Sequence, residues 1–225
     1  MTSFDKKEFS FSTIENFDDH IDTSIPGYSH MNDIIINSSK YFIEENTKVI
    51  DIGCSTGKLI KEIENQNKTF KDVQYIGIEK EKNFTKDFRD TDNINLLDID
   101  IIDYDNFESI SFITSIFTLQ FISIKERENI LKKIYNGLNK GGAFIMSEKI
   151  YSDYPKFQDM FTFMYYDYKQ KTYTPDDILS KERDLRKIMK PLTYNENISM
   201  LKDIGFTKVE VIWKNLNFIS FICIK

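Results

Sequence analysis

The sequence predicts an α/β fold built on a mostly parallel, seven-stranded sheet that ends in an antiparallel hairpin, and three observations predict it. A β-type apolar run, Val49-Ile50-Asp51-Ile52, meets the glycine-punctuated turn Gly53-Cys54-Ser55-Thr56-Gly57 and then a helical pattern. Strand and helix patterns alternate from Thr47 onward, as a parallel sheet covered on both faces demands. Two β-patterned runs, 207–213 and 217–224, follow each other with almost no crossover, so they must pair antiparallel.

The elements follow in order. Residues 1–22 scatter Phe4, Phe9, Phe11 and Phe17 among charges, and Ile25-Pro26-Gly27-Tyr28 forms a turn before a helical pattern from Met31 to Glu45. Residues 1–46 thus read as an N-terminal helical cap. Next come strand 48–52, helix 57–66, strand 73–78, helix 81–89, strands 94–98 and 111–116, helix 124–138 and strand 143–147. Ser123 and Glu126 predict a capping box for the helix that carries Ile130, Leu131, Ile134, Tyr135 and Leu138 on one face. Gly137 and Gly141-Gly142 stop that helix and turn the chain. Residues 151–190 break the rhythm with an aromatic cluster, Phe161, Phe163, Tyr165, Tyr166 and Tyr168, and then a helix start at Thr174-Pro175-Asp176-Asp177. They read as a helical lid. Thr193 and Glu196 cap a further helix that ends at Gly205.

Composition bounds the rest. A chain of 225 residues with 40% hydrophobic content suits one domain, 1–225, with a sizeable core. Cys54 and Cys223 sit in apolar, strand-like surroundings and read as small core residues in a reducing compartment. Neither His20 nor His30 pairs with a cysteine at ligand spacing, which argues against a structural zinc, and a His-based triad lacks its parts. The N-terminus lacks an apolar signal core and no segment approaches the ~20 apolar residues a membrane span needs, so a cytoplasmic protein is expected. Thirty basic against 36 acidic residues, a net charge of −6, argue against direct nucleic-acid binding and for a small-molecule substrate.

The turn after the first strand is where such folds grip a nucleoside cofactor. Gly53 and Gly57 permit unusual dihedrals and close ligand approach, and backbone N–H groups at the next helix start can face the ligand. About twenty-five residues on, the second strand ends at Glu79, the spacing at which an acid meets ribose hydroxyls. A carboxylate there suits an unphosphorylated ribose, because it accepts two hydrogen bonds from a diol and repels phosphate. The bland alternative for Glu79 is an acid favoured by a helix dipole.

Four further segments, Ser24-Ile25-Pro26-Gly27-Tyr28-Ser29, Phe117-Thr118-Leu119-Gln120-Phe121, Lys133 to Gly142 and Ser147-Glu148-Lys149, together with the region of Asn217-Phe218, extend the pattern. The chain from Thr23 onward resembles the carboxy-S-adenosyl-L-methionine synthase family, within the Rossmann-like class I S-adenosylmethionine-dependent methyltransferases. The resemblance implies S-adenosylmethionine, or its carboxylated form, as the bound cofactor. It implies that prephenate becomes phenylpyruvate while the released carbon dioxide is captured at the activated methyl group, in support of wobble-uridine modification of tRNA. A sulfonium acidifies its attached carbon, so no side-chain nucleophile is required. Residue by residue, it assigns Gly53, Cys54 and Ser55 to the cofactor turn, Glu79 and Lys80 to the ribose and adenine edge, and Asp100 and Ile101 to the adenine; Asp51 and Gly57, which flank the turn in the same motif, are further candidate cofactor-binding residues. Tyr28 matches a tyrosine that approaches the cofactor. Arg183 matches a lid arginine that holds the new carboxylate, with Arg186 as a rival and a charged, solvated helix face as the bland alternative for this stretch. The resemblance also implies a homodimer.

Three departures stand out. Ile116 occupies a cofactor-binding position where the family has an asparagine, Glu79-Lys80 replaces an aspartate-asparagine pair, and Tyr165-Tyr166 varies a polar lid pair. The residues therefore leave two alternatives beside the synthase: a conventional methyltransferase acting on a small molecule or tRNA, and a non-catalytic cofactor-binding subunit.

Overall fold

Strand β1 (Lys48–Ile52) is buried from Val49 to Ile52, which a strand covered by helices on both faces requires. The computed structural model describes residues 17–85, 88 and 93–225. Beside β1 run β2 (Gln74–Glu79), β3 (Ile94–Asp98), β4 (Ile110–Ile116), β5 (Leu138–Lys149), β6 (Lys208–Asn215) and β7 (Phe218–Ile224), in the order β3-β2-β1-β4-β5-β7-β6. The first five are parallel, and β7 runs antiparallel to both β5 and β6. Strand order reverses direction at β1, between β2 and β4, so the crevice outside their carboxyl ends is the natural ligand site.

Eight α-helices complete the described fold: α1 (Phe17–Ser24), α2 (Tyr28–Ser39), α3 (Lys58–Gln66), α4 (Lys82–Thr85), α5 (Ile124–Gly137), α6 (Pro155–Lys169), α7 (Pro175–Ile188) and α8 (Tyr194–Ile204). On one face of the sheet, Ile130, Leu131 and Ile134 of α5 and Met200 and Leu201 of α8 pack with Ile50, Ile52 and Ile113. On the other, Met31 and Ile35 of α2 and Ile60 and Ile63 of α3 join Val49 and Phe112. Cys54 and Cys223 are free, buried thiols, as the sequence suggests. None of the described helices is long and apolar enough to cross a membrane.

Within residues 151–190, α6 and α7 flank residues 170–174, with Thr174 and Asp177 forming a full capping box. This segment is tied to the N-terminal cap, because Tyr165 donates to the Ser24 carbonyl at 3.0 Å and Tyr168 to that of Asp22 at 3.2 Å.

Some boundaries differ from the sequence reading. Helix α2 stops at Ser39 rather than near Glu45, since the chain must turn to bury Ile43 and to stack Phe42 on Phe112, with ring centroids 6.2 Å apart. Ser39 helps the turn by accepting from the buried Asn67 amide at 2.7 Å. Strand β5 starts at Leu138, because the glycines interrupt its register with β4 without ending the pairing. Ser123 accepts from the Glu126 N–H at 3.3 Å, which makes half of the expected box. Helix α4 covers only the start of the expected helix 81–89, whose residues 86, 87 and 89 lie outside the described set, as do Phe4, Phe9 and Phe11.

Candidate functional site

The carboxyl ends of β1, β2 and β4 open into a cavity of about 910 Å³ that the lid and cap cover. Its floor is the turn after β1. Gly53 adopts φ +71°, and a Cβ on it would fall inside the Thr118 side chain, so glycine is required on two counts. Cys54 tucks toward β2, where a Cβ on Gly77 would come within 2.7 Å of its Sγ, and burial keeps its thiol protonated. Ser55 follows at φ +51°, with its Oγ buried and without a hydrogen-bond partner among the described residues.

Glu79 closes β2 at the cavity wall, where its Oε2 accepts the Ser55 N–H at 3.0 Å and its Oε1 the Glu81 N–H at 2.9 Å. Burial pushes its carboxyl above the usual range, opposed by those backbone hydrogen bonds. Asp51 also lines the cavity and accepts from the Thr114 hydroxyl at 2.7 Å. Its carboxyl is pushed up to about 7 by burial, with a smaller contribution from Glu79. Lys80 bridges Asp100 across the rim at 3.2 Å, and Asp100 also accepts the Ile102 N–H at 3.1 Å, which fixes the short turn carrying Ile101.

Tyr28 and Ile116 also line the cavity. Burial raises the Tyr28 hydroxyl to about 12, so it is a neutral hydrogen-bonding group across the working pH range. Two expected residues stand apart. Gly57 does not reach the cavity: at φ +74° it caps α3, and a Cβ there would meet the Phe88 ring. Arg183 is exposed on α7, away from the cavity-lining residues, and Arg186 pairs with Glu182 at 3.8 Å. The cavity-facing cations of the lid region are instead Lys149, Lys169 and Lys181. Of these, Lys181 shares α7 with Arg183 and lines the cavity, whereas Arg183, two residues on, does not.

Sequence reasoning missed these lysines, and also His20 and Asn32. Asn32 had a signal, since it lies one helical turn beyond Tyr28 on the same face, and its buried Oδ1 has no partner among the described residues. His20 had none: besides Ser24 one turn on, it touches Lys181, and its Nδ1 lies 3.2 Å from the Tyr173 hydroxyl, both of them distant along the chain. Burial, then the Lys181 charge, pull the His20 ring down to about 4.

Comparison with known proteins bears on this geometry. Residues 50–144 match a family model described as a methyltransferase domain. The carboxy-S-adenosyl-L-methionine synthase of Staphylococcus epidermidis is 37% identical over 220 residues, spanning 96% of this chain and 95% of that protein. The enzyme of the same name from Nautilia profundicola is 32% identical over 224 residues, 97% of this chain and 94% of its own length. Among solved structures, human N-acetylserotonin methyltransferase in complex with SAM shares the fold at TM-score 0.60 and 12% identity, over 86% of this chain and 51% of that one. The chain therefore spans about half of that larger protein. With nearly full-length relatives above the level at which descent is secure, the chain belongs to the carboxy-S-adenosyl-L-methionine synthase family.

Proposed function

We propose that the protein converts S-adenosylmethionine and prephenate into carboxy-S-adenosylmethionine and phenylpyruvate, a cytoplasmic reaction whose product serves wobble-uridine modification of tRNA. The atoms balance when prephenate gives up carbon dioxide and hydroxide, and the methyl group of the cofactor gives up one proton that leaves with the hydroxide as water. Bound in the cavity, the sulfonium supplies an acidic methyl group as the acceptor for the carbon.

The observation that carries this reading is the covered cavity itself. At about 910 Å³ it lies near the top of the range for small-molecule sites, which leaves room for a second small reactant beside a nucleoside. Its residues fit the cofactor. Ser55 Oγ and Asn32 Oδ1 are buried polar atoms that lack a partner among the described residues, which a polar ligand would satisfy. The Gly53 cradle lets backbone approach the ligand, Glu79 would accept from the ribose hydroxyls, and Asp100 and Ile101 would meet the adenine. Tyr28 and the lid exclude water from the reacting carbon.

Helix α6 exposes Phe157, Met160, Phe163 and Met164, an apolar face that supports a homodimer. Sedimentation of the protein and of Phe163→Glu checks this, with the variant expected to shift toward monomer.

Native mass spectrometry of protein purified from cells tests the reaction. A bound cofactor heavier than S-adenosylmethionine by one carboxyl group supports it. Only S-adenosylmethionine or its demethylated form would favour a conventional methyltransferase instead.

A further inference from the structure

One end of the cavity carries a charge arrangement that cofactor binding does not use. Lys149 ends β5, Lys169 ends α6 and Lys181 lies in the middle of α7, yet all three line the same cavity. Glu182 is a carboxylate whose charge reaches Lys169 and Lys181, and it is already engaged by Lys149 at 3.0 Å and Arg186 at 3.8 Å.

Lys169 is the decisive residue. Lysines at a surface run their stems along apolar groups and put the ammonium in water. Lys169 is only 4% exposed. Its ammonium lies over the Tyr173 ring at 4.8 Å and the Tyr165 ring at 5.7 Å and makes no hydrogen bond among the described residues. A largely buried ammonium that rests on ring faces, with Glu182 already shared among other cations, is costly unless a further anion completes its surroundings. Lys181 adds a second positive group against His20, and its amine is drawn down to about 7 by burial and then by Lys169. An arriving anion opposes that depression and favours the charged form of Lys181.

We propose that Lys169, with Lys181 beside it, is the recognition point for the carboxylates of a small dicarboxylic acid, the second substrate of the reaction, while the Lys149–Glu182 pair forms the fixed wall of the subsite. This rests on the proposed function for the identity of the substrate, but the anion subsite has its own test. Two lysine amines lining one cavity match two negative charges on one molecule better than one. A compact dicarboxylate reaches both groups without leaving the cavity.

Malonate serves as the probe, titrated by calorimetry into the full-length protein saturated with S-adenosylmethionine. Malonate binding is expected in the wild type and to weaken about tenfold or more in Lys169→Met and in Lys181→Met, the loss of one charge-assisted contact. Lys169→Arg is expected to recover most of the affinity, and Lys187→Met on the outer face of α7 to leave it unchanged. Affinity for S-adenosylmethionine is expected to stay within about twofold in every variant. Absence of malonate binding to the wild type, unchanged affinity in both methionine variants, or a parallel loss of S-adenosylmethionine affinity would each overturn the subsite. If malonate binding depends on the lysines but prephenate yields no carboxylated cofactor, the subsite stands and the assigned reaction fails. If the reaction proceeds and the KM for prephenate is unaffected in the methionine variants, the reverse holds.

Discussion

The Glu79 carboxylate accepts the Ser55 backbone N–H at 3.0 Å, which locks the end of β2 to the turn after β1. With the Glu81 N–H on its other oxygen, this acid joins two loops at the cavity wall. Glu79→Ala should lower affinity for S-adenosylmethionine about ten- to a hundredfold, the range expected when hydrogen bonds to a charged group worth ~1.5–3 kcal/mol are lost. Calorimetric titration measures it, and an affinity within about twofold of wild type would count against the assignment.

Gly53→Ala introduces a methyl group into the Thr118 side chain at a backbone φ of +71°. The substitution should cost about 1–3 kcal/mol of stability, read from urea unfolding, and should abolish tight cofactor binding. Pairing it with Thr118→Ala removes the collision but leaves the backbone strain, so the double variant should recover part of the loss. Full recovery would mean that the positive φ is unimportant.

The strands and α5 were legible in the sequence because their apolar periodicity is local, and the pairing of Glu79 with the glycine turn followed from spacing alone. The end of α2 was not, because its stop serves the burial of Ile43 and the stacking of Phe42 on distant Phe112 and does not rest on any helix-breaking residue. In the lid, Arg183 and Lys181 lie two residues apart in a charged run, and the sequence cannot say which faces inward. The helix turns that question into geometry: Lys181 meets His20 of α1, 161 residues away, while Arg183 points to solvent.

Asp51 makes stability depend on pH. Its native carboxyl titrates at about 7 against 3.8 for the ordinary group, so between those values the native state holds a proton that the unfolded chain has released. Stability from this group is therefore greatest below about pH 4 and falls as pH rises through about 7. Asp51→Asn keeps an acceptor for Thr114 and removes the titration. Urea midpoints across this window should fall less steeply in the variant than in wild type; identical slopes would contradict the assignment.

Arg127, buried under the lid's end, donates to the Lys190 carbonyl at 2.9 Å and to the Ile122 carbonyl at 3.3 Å, while Lys190 N–H donates to the Gln120 carbonyl at 2.7 Å. Arg127→Met should cost about 3 kcal/mol or more, since it strands buried acceptors and removes the charge facing Glu148. Hydrogen exchange in α7 should quicken with it. Arg183→Ala, by contrast, should change stability by no more than about 0.5 kcal/mol, as an exposed side chain. Equal losses at both positions would contradict the placement of the lid.

The reaction itself is tested most directly by following one carbon. Prephenate carrying a heavy-carbon label at the carboxyl group it loses is incubated with the purified protein and S-adenosylmethionine, and the cofactor is then analysed by mass spectrometry. The account predicts labelled carboxy-S-adenosylmethionine in step with phenylpyruvate. Recovery of unlabelled, unchanged S-adenosylmethionine from folded, cofactor-bound protein would contradict it.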